Sequence, residues 1–340
     1  MKNNSIYIFF LFQIFLNIIL VFHFSKISKV INLFDMPDHK RKLHKKKVPS
    51  IGGCLIFINI FSFFIYNLIK SIFFEFDLNF FDQQEFIIFS FFAFLFFFLG
   101  ILDDKIYLSA NTKLLLYFLI ILTLVLLSNG ILINLINFTF VSYNLNILYI
   151  SIFFTILCFL LFINAFNMYD GINLQSGLYS IFIFSVFLYK GIFIEISVML
   201  IISLLFFLYL NLKNKCFLGN NGALIVSFVI SYIFIKSNSS NVSFYADEIF
   251  LIMMIPGVDL LRLAIFRLIK GKHPFSADRN HFHHLLLNNF GFNKTITILN
   301  FMTITPYFIF TFFGHITYLT IFSFLIYISL IFKYSDKNLN

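Results

Sequence analysis

Aspartate, asparagine and histidine gather in four short stretches, and those stretches are where this 340-residue chain can do chemistry. Asp103 and Asp104 stand side by side in GILDDK. Close like charges push carboxylate pKa values apart, so such a pair can hold a hard cation or take a proton from a nucleophile. In NMYDGIN, Asn167 lies one helical turn before Asp170, so both can face one ligand, and Asn173 closes the stretch. FLGNNGA sets Asn220 and Asn221 between two glycines, which permits close backbone approach to a phosphate or a metal ligand. The segment Gly271–Leu287, GKHPFSADRNHFHHLLL, carries His273, His281, His283 and His284 with Lys272 and Arg279. On a helix His281 and His284 share a face while His283 points elsewhere, and the i,i+4 spacing that suits zinc is missing. Imidazoles donating to phosphate oxygens beside Arg279 and Lys272 suit a diphosphate better.

Each stretch also has a plainer reading. The Asp pair can cap the next helix, Asp170-Gly171 can be a helix-ending turn, and Gly219–Gly222 a tight turn between spans. Asp259, inside an apolar run, sits three residues before Arg262, the spacing of an internal ion pair.

The elements that must position these residues are set by composition. With 60% hydrophobic residues, 11% charged residues and a mean hydropathy of +0.94, the chain is not an ordinary soluble domain. Apolar runs of the length that crosses a ~30 Å hydrocarbon core recur from end to end. The expectation is an all-α integral membrane protein, one polytopic domain over 1–340 with about eleven transmembrane helices. They are 6–25, 51–70, 86–102, 113–129, 147–165, 174–190, 192–211, a short one at 223–236, 249–267, 295–313 and 314–332. The segment 130–146, broken by Asn and β-branched residues, reads as an interfacial hairpin.

Charge orients the chain. With the N-terminus outside and the C-terminus cytoplasmic, only Lys2, Lys70, Lys190 and Lys236 of the 24 Lys and Arg fall outside, as the positive-inside rule requires. The outside loop 71–85 is acidic. The polar stretches 35–53, 103–104, 167–173, 219–222 and 270–284 then share the cytoplasmic face, in loops 26–50, 103–112, 166–173, 212–222 and 268–294. Five such stretches on one face point to one cleft formed by cytoplasmic loops. The net charge of +9 is spread over these loops, so membrane topology explains it and nucleic acid is not indicated. Lys40, Arg41, Lys42, Lys45, Lys46 and Lys47 form a basic run that suits anionic lipid or a polyanionic substrate. Pro37, Pro49 and Gly52-Gly53 make that run a shaped loop. No internal repeat is apparent, which weighs against a transporter built from duplicated halves.

Together DMPDHKRKLHKKKVPSIGG, GILDDK, NAFNMYDGIN and PFSADRNHFHHLL resemble, in order, the motifs of the polyprenyl-phosphate N-acetylhexosamine-1-phosphate transferases, the WecA/MraY family. The resemblance runs from Asp35 to about Gly291, and the His-x-His-His form is more similar to the WecA-type branch. It implies transfer of a HexNAc-1-phosphate, with GlcNAc the first choice, from a UDP-sugar to undecaprenyl phosphate. UMP is released, with Mg²⁺ or Mn²⁺ as cofactor, in the bacterial inner membrane, as the first step of a lipid-linked surface polysaccharide; a homodimer stays open. Carried onto this chain, the catalytic carboxylates are Asp103, Asp104 and Asp170, the first two positioning or deprotonating the lipid phosphate. Asn167 and Asp170 line the nucleotide-sugar pocket, Phe217 stacks on uracil with Asn173 beside it, and Arg279, His281, His283 and His284 hold the diphosphate. Asn220 stands where the family carries the Asp that ligates Mg²⁺; its amide oxygen can coordinate with one negative charge fewer. Two alternatives remain: a catalytically impaired homologue that binds polyprenyl phosphate or nucleotide sugar, and a membrane transporter.

Overall fold

The computed structural model describes residues 2–37, 46–73, 81–141, 143–238, 244–274 and 278–335. Lys40, Arg41, Lys42 and Lys45 of the basic run, and Glu75 and Asp77 of the acidic loop, lie outside the described residues. The chain is helical: α1 Lys2–Phe22, α2 Phe24–Ile31, α3 Gly52–Phe73, α4 Gln83–Ile106, α5 Ala110–Leu127, α6 Ser151–Tyr169, α7 Gln175–Tyr189, α8 Ile194–Leu212, α9 Gly219–Asn238, α10 Ala246–Ile269, α11 Phe282–Phe290, α12 Phe292–Phe313 and α13 Ile316–Ser335. Two short antiparallel pairs complete it. β1 (Phe34–Asp35) runs against β2 (Val48–Pro49), and β3 (Leu135–Ile136) against β4 (Leu145–Asn146).

Each of the eleven expected spans falls on a helix, and this is a multi-pass membrane protein, but the count narrows. Among the described residues nine helices are long and apolar enough to cross a bilayer; α1 with α2, bent by 72°, makes a tenth. Helix α7 has 15 residues. At a rise of 1.5 Å per residue it covers roughly 22 Å, short of the ~30 Å core. The run at 130–146 is a hairpin, since Leu135 pairs with Asn146 and Ile136 with Leu145.

The expected short span at 223–236 is instead the 20-residue α9, because Gly219–Gly222 is its first turn and not a loop. No charged residue interrupts α9 before Lys236, and the helix is buried nearly throughout. Lipid tails are as apolar as the side chains, so packing and hydrogen bonds hold it in place, not water exclusion. Phe96 stacks on Phe228 at 4.9 Å and Phe89 packs on Tyr232 at 4.8 Å, which zips α4 against α9. The hydroxyls of Ser227, Ser231 and Ser237 donate to carbonyls three residues back, so no polar group of theirs is stranded. Helix α1 is clamped to α3 by a reciprocal Asn17–Asn59 amide pair at 2.7 and 3.1 Å and by Gln13 donating to Ser62 at 2.6 Å. Interhelical bonds of this kind average ~0.6 kcal/mol in a membrane protein.

One end of the bundle gathers the start of α9 with the ends of α4, α6 and α8. There β2 continues into α3 beside the α8–α9 connection. Phe217 N–H donates to the Pro49 carbonyl at 2.9 Å, and the N–H groups of Gly52 and Gly53 donate to Phe217 and Leu218 carbonyls at 2.9 and 3.0 Å. The two ends of the basic loop are therefore shaped, as its prolines and glycines suggest.

Candidate active site

Helix α4 ends at Tyr107, whose positive φ of 50° stops the helix just after the paired acids. Successive residues on a helix point about 100° apart, and this separates the two carboxylates. Asp103 turns towards α5: one oxygen accepts from Leu108 N–H at 3.0 Å and the other faces Lys113 Nζ at 2.6 Å. It is only 1% exposed. Asp104 turns towards α9, accepting from the backbone N–H groups of Asn220 and Asn221 at 3.0 and 3.1 Å and from the Asn221 side chain. Asp104 thus caps a helix 115 residues further along the chain, where the positive end of the dipole favours an anion by ~0.3–1 kcal/mol. The capping reading of the sequence holds in altered form, since the capped helix is not the next one. Gly219 makes this geometry possible. Its φ is +74°, and a Cβ there would lie 2.7 Å from the Ser50 carbonyl oxygen and 3.0 Å from the Asp104 carboxylate.

The second stretch closes α6. Asp170 has φ −77° and ψ 65°, and Gly171 N–H donates back to the Tyr169 carbonyl at 2.9 Å, an inverse γ-turn. Burial raises the Asp170 carboxyl to about 6, against the opposing hydrogen bond from Ser176 and with a smaller push from Asp104. Asn167 donates to the Asn220 side-chain oxygen at 3.2 Å, which ties the end of α6 to the start of α9. Asn173 donates to the Asn211 carbonyl and the Asn214 side chain at 3.1 and 2.6 Å, and accepts from Asn211 at 3.2 Å. Its N–H groups are therefore engaged with the end of α8, and one carbonyl lone pair remains for a ligand.

The His segment departs from its helical-face reading. His281 precedes α11 in extended conformation (φ −61°, ψ 145°), so helical phase does not govern it. All three rings gather: His281 stacks on His283 at 5.3 Å, and His283 lies 4.3 Å from His284. His283 is the buried one, and burial holds its imidazole well below the ordinary histidine range, hence neutral. Its ring lies where a Cβ on Gly171 would fall, 1.9 Å from Nε2. The glycine of NMYDGIN is thus demanded by the histidine's approach and not by a positive φ.

Asp259 does pair with Arg262, at 2.7 Å. It also accepts from the Tyr327 hydroxyl at 2.8 Å and Phe282 N–H at 3.2 Å, and lies 3.4 Å from His281 Nδ1. The intramembrane acid is part of the scaffold of the His segment. Arg279, expected on the diphosphate, is exposed and off the cavity wall, whereas buried Arg267 lines that wall. Arg267 pairs with Asp278 at 2.8 Å, donates to the Pro274 carbonyl at 2.7 Å and approaches His281 Nε2 at 3.4 Å. In the sequence Arg267 is one cation near the end of an apolar run, with nothing to mark it. Phe275, Ser276 and Ala277 of this segment lie outside the described residues.

These pieces enclose one cavity of about 800 Å³, a size suited to a sizeable small-molecule ligand. Its walls include Asp104, Asn167, Asp170, Asn173, Phe217, Asn220, Arg267, His281, His283 and His284. Asp103 lies behind the wall, and Lys113 stands on it. Among the described residues no group of three His, Cys, Asp or Glu is placed to hold a metal by itself. The oxygen donors of Asp104, Asp170, Asn167 and Asn220 nevertheless fit a hard divalent cation, which takes one or two carboxylates from the protein and its other ligands from phosphates and water. Acids beside His and Arg on one wall, at the end of a membrane bundle, define a class: an enzyme acting on phosphorylated substrates at the membrane face.

Comparison with known proteins agrees. The sequence profile of glycosyl transferase family 4 matches residues 86–238. An undecaprenyl-phosphate α-N-acetylglucosaminyl 1-phosphate transferase of Thermotoga maritima is 30% identical over 288 residues, covering 81% of this chain and 80% of that protein. A probable undecaprenyl-phosphate N-acetylglucosaminyl 1-phosphate transferase of Bacillus subtilis is 28% identical, covering 81% of this chain and 75% of that protein. The Escherichia coli K12 enzyme with the same name as the Thermotoga protein is 26% identical, covering 82% and 75%. The chain belongs to glycosyl transferase family 4, with the WecA-type transferases among its relatives.

Proposed function

We propose that this protein transfers GlcNAc-1-phosphate from UDP-GlcNAc to undecaprenyl phosphate and releases UMP, starting a lipid-linked surface polysaccharide in a bacterial inner membrane. The observation that carries the reading is convergence: stretches near residues 104, 170, 220 and 283 line one cavity that brings acids, His and Arg together. The relatives' names supply the acceptor and the transferred group, and the uridine diphosphate carrier is part of the proposal. The distribution of Lys and Arg supports a cytoplasmic cavity, where a nucleotide sugar arrives from water and a lipid from the bilayer.

The reaction forms a bond from a lipid-phosphate oxygen to the β-phosphorus of the donor and breaks the bridge to the α-phosphate, so the electron pair leaves with UMP. A phosphate monoester has a second pKa of about 6, so at neutral pH the nucleophile is already largely deprotonated. What the site must supply is alignment and charge neutralisation. Arg267 and the three imidazoles offer donors to the diphosphate oxygens, with His283 neutral. Phe217 offers a ring face for uracil and Asn173 its amide oxygen. Mg²⁺, or Mn²⁺ in its place, would be held by Asp104, Asp170 and Asn220 with the substrate phosphates, and when bound supplies positive charge to the phosphoryl oxygens.

Asn220 favours a second reading, a homologue that binds the substrates without turning them over. The test is labelled UDP-GlcNAc with undecaprenyl phosphate and membranes containing the protein. Lipid-linked sugar and UMP in equal amounts are expected. A folded protein that gives neither at any Mg²⁺ or Mn²⁺ concentration sinks the transferase reading and leaves the binding one.

A further inference from the structure

Adjacent acids in one motif invite one shared role, yet Asp103 and Asp104 do not share surroundings. Asp103 is buried behind the cavity wall, with Leu108 N–H on one oxygen and Lys113 on the other. A carboxylate so enclosed does not line the cavity, and Lys113 lies between it and a ligand there. Lys113 stands in front of it, on the wall, with 27% of its side chain exposed. An ammonium has three donors, and its ion pair with Asp103 takes at most one of them, which leaves two for a ligand. The other described cation on the wall, Arg267, is already committed to Asp278 and the Pro274 carbonyl.

The neighbours of Lys113 indicate which ligand. Tyr107, Leu108, Ala110 and Leu114 line the same side of the cavity. Beyond them Leu115, Phe118 and Leu119 of α5 are exposed apolar side chains on a candidate membrane span. An anion seated on Lys113 can therefore leave an attached hydrocarbon chain against α5, in lipid.

We infer that Lys113 is the seat of the acceptor's phosphate monoester, and that Asp103 is a positioning residue that fixes the Lys113 ammonium and not a base. The inference rests on the reading of the acceptor as a lipid phosphate. Nothing in it requires a proton to leave the acceptor through Asp103, because the monoester is mostly dianionic near neutral pH.

The test uses the full-length protein in nanodiscs, with Lys113→Met, Lys113→Arg, Asp103→Asn and the double variant Lys113→Met/Asp103→Asn. Lys113→Met is expected to raise the KM for undecaprenyl phosphate by about tenfold or more, the scale of one charge-assisted hydrogen bond. The KM for UDP-GlcNAc should stay within about twofold. Asp103→Asn should raise the same acceptor KM by a smaller factor, and the double variant should be no worse than Lys113→Met alone, because coupled residues are not additive. Lys113→Arg should recover most of the acceptor affinity. A fall in kcat of ~100-fold or more in Asp103→Asn with an unchanged acceptor KM overturns the inference and makes Asp103 a base. So does a purely additive double variant. Equal rises in both KM values, with a lower melting temperature, overturn it too and make the pair a structural clamp. Direct binding of a polyprenyl phosphate by native mass spectrometry, without donor and against inorganic phosphate, separates this from the transferase reading. A wild-type protein that turns nothing over but loses lipid-phosphate binding in Lys113→Met refutes the reaction and keeps the site. Equal competition by inorganic phosphate and the lipid at equal concentration removes the lipid from the inference.

Discussion

The two ends of the helix bundle use the same residue types for opposite purposes. At the end opposite the cavity, Lys236 reaches Glu85 at 2.6 Å, and Lys190 reaches Glu248 at 2.8 Å while Tyr307 donates to the same carboxylate at 2.9 Å. Asp247 is bonded by both the backbone N–H and the hydroxyl of Thr139, which docks the β3–β4 hairpin onto α10. Each of these charges is closed on a partner within the protein. At the cavity end, charges are anchored on one side and left open on the other: Asp104 on the first turn of α9, Asp170 on Ser176, His281 beside Asp259. Removing charge from lipid demands a partner in both places. A site differs from a seal in that each group keeps acceptor or donor capacity for something the protein does not itself provide.

That contrast can be broken by substitution. The largest effect is expected at the open end: Asp104→Asn should lower kcat by ~10³ or more, since a preorganised charge is lost from the reacting centre. Isotope transfer from UDP-GlcNAc measures this, and a rate within a few-fold of wild type returns Asp104 to capping alone. At the closed end, Glu248→Ala strands Lys190 and Tyr307 and should destabilise the fold by ~3–5 kcal/mol, read as a denaturation midpoint. The specific activity of the protein that stays folded should be kept, and a lost rate with an intact fold would mean the two ends are not separate.

A smaller effect sharpens the role of Asp170. Its carboxyl is raised to about 6, so it is an anion above that pH and neutral below. Binding of Mn²⁺ with UDP-GlcNAc should weaken by up to about tenfold per pH unit as pH falls below about 6. The measurement leaves out the acceptor, whose own phosphate titrates in the same range; binding that stays flat down to about pH 5 would detach Asp170 from the metal. The smallest change is Asn220→Asp, which restores a negative ligand and should lower the Mg²⁺ concentration for half-maximal activity by roughly three- to tenfold. An unchanged requirement would place residue 220 away from the ion.

Residues legible in advance were those whose meaning is local. The apolar runs, the hairpin at 130–146 and the Asp259–Arg262 pair follow from periodicity and i,i+3 spacing. The polar stretches could be grouped because charge asymmetry assigns loops to sides of a membrane without knowing which helices touch. Arg267 on the cavity wall was not legible, because a cation in a polar segment such as Arg279 stands out while one near the end of an apolar run does not. The His segment misled for a related reason: the helical phase assumed for His281 begins only after it.

The sequence alone determined that this chain spans a membrane repeatedly, that its chemistry lies in a few polar stretches, and which family those stretches resemble. Those properties come from composition and from spacing within about two helical turns. Only the tertiary structure decided that Asp104 faces the cavity while Asp103 stands behind it, holding Lys113. It also decided that Gly171 yields its space to His283, and that Gly219–Gly222 opens the central helix instead of turning a loop. A residue's angle on its own helix can be counted from sequence. What lies at that angle depends on which helices pack beside it, and that is settled by contacts between residues more than a hundred positions apart.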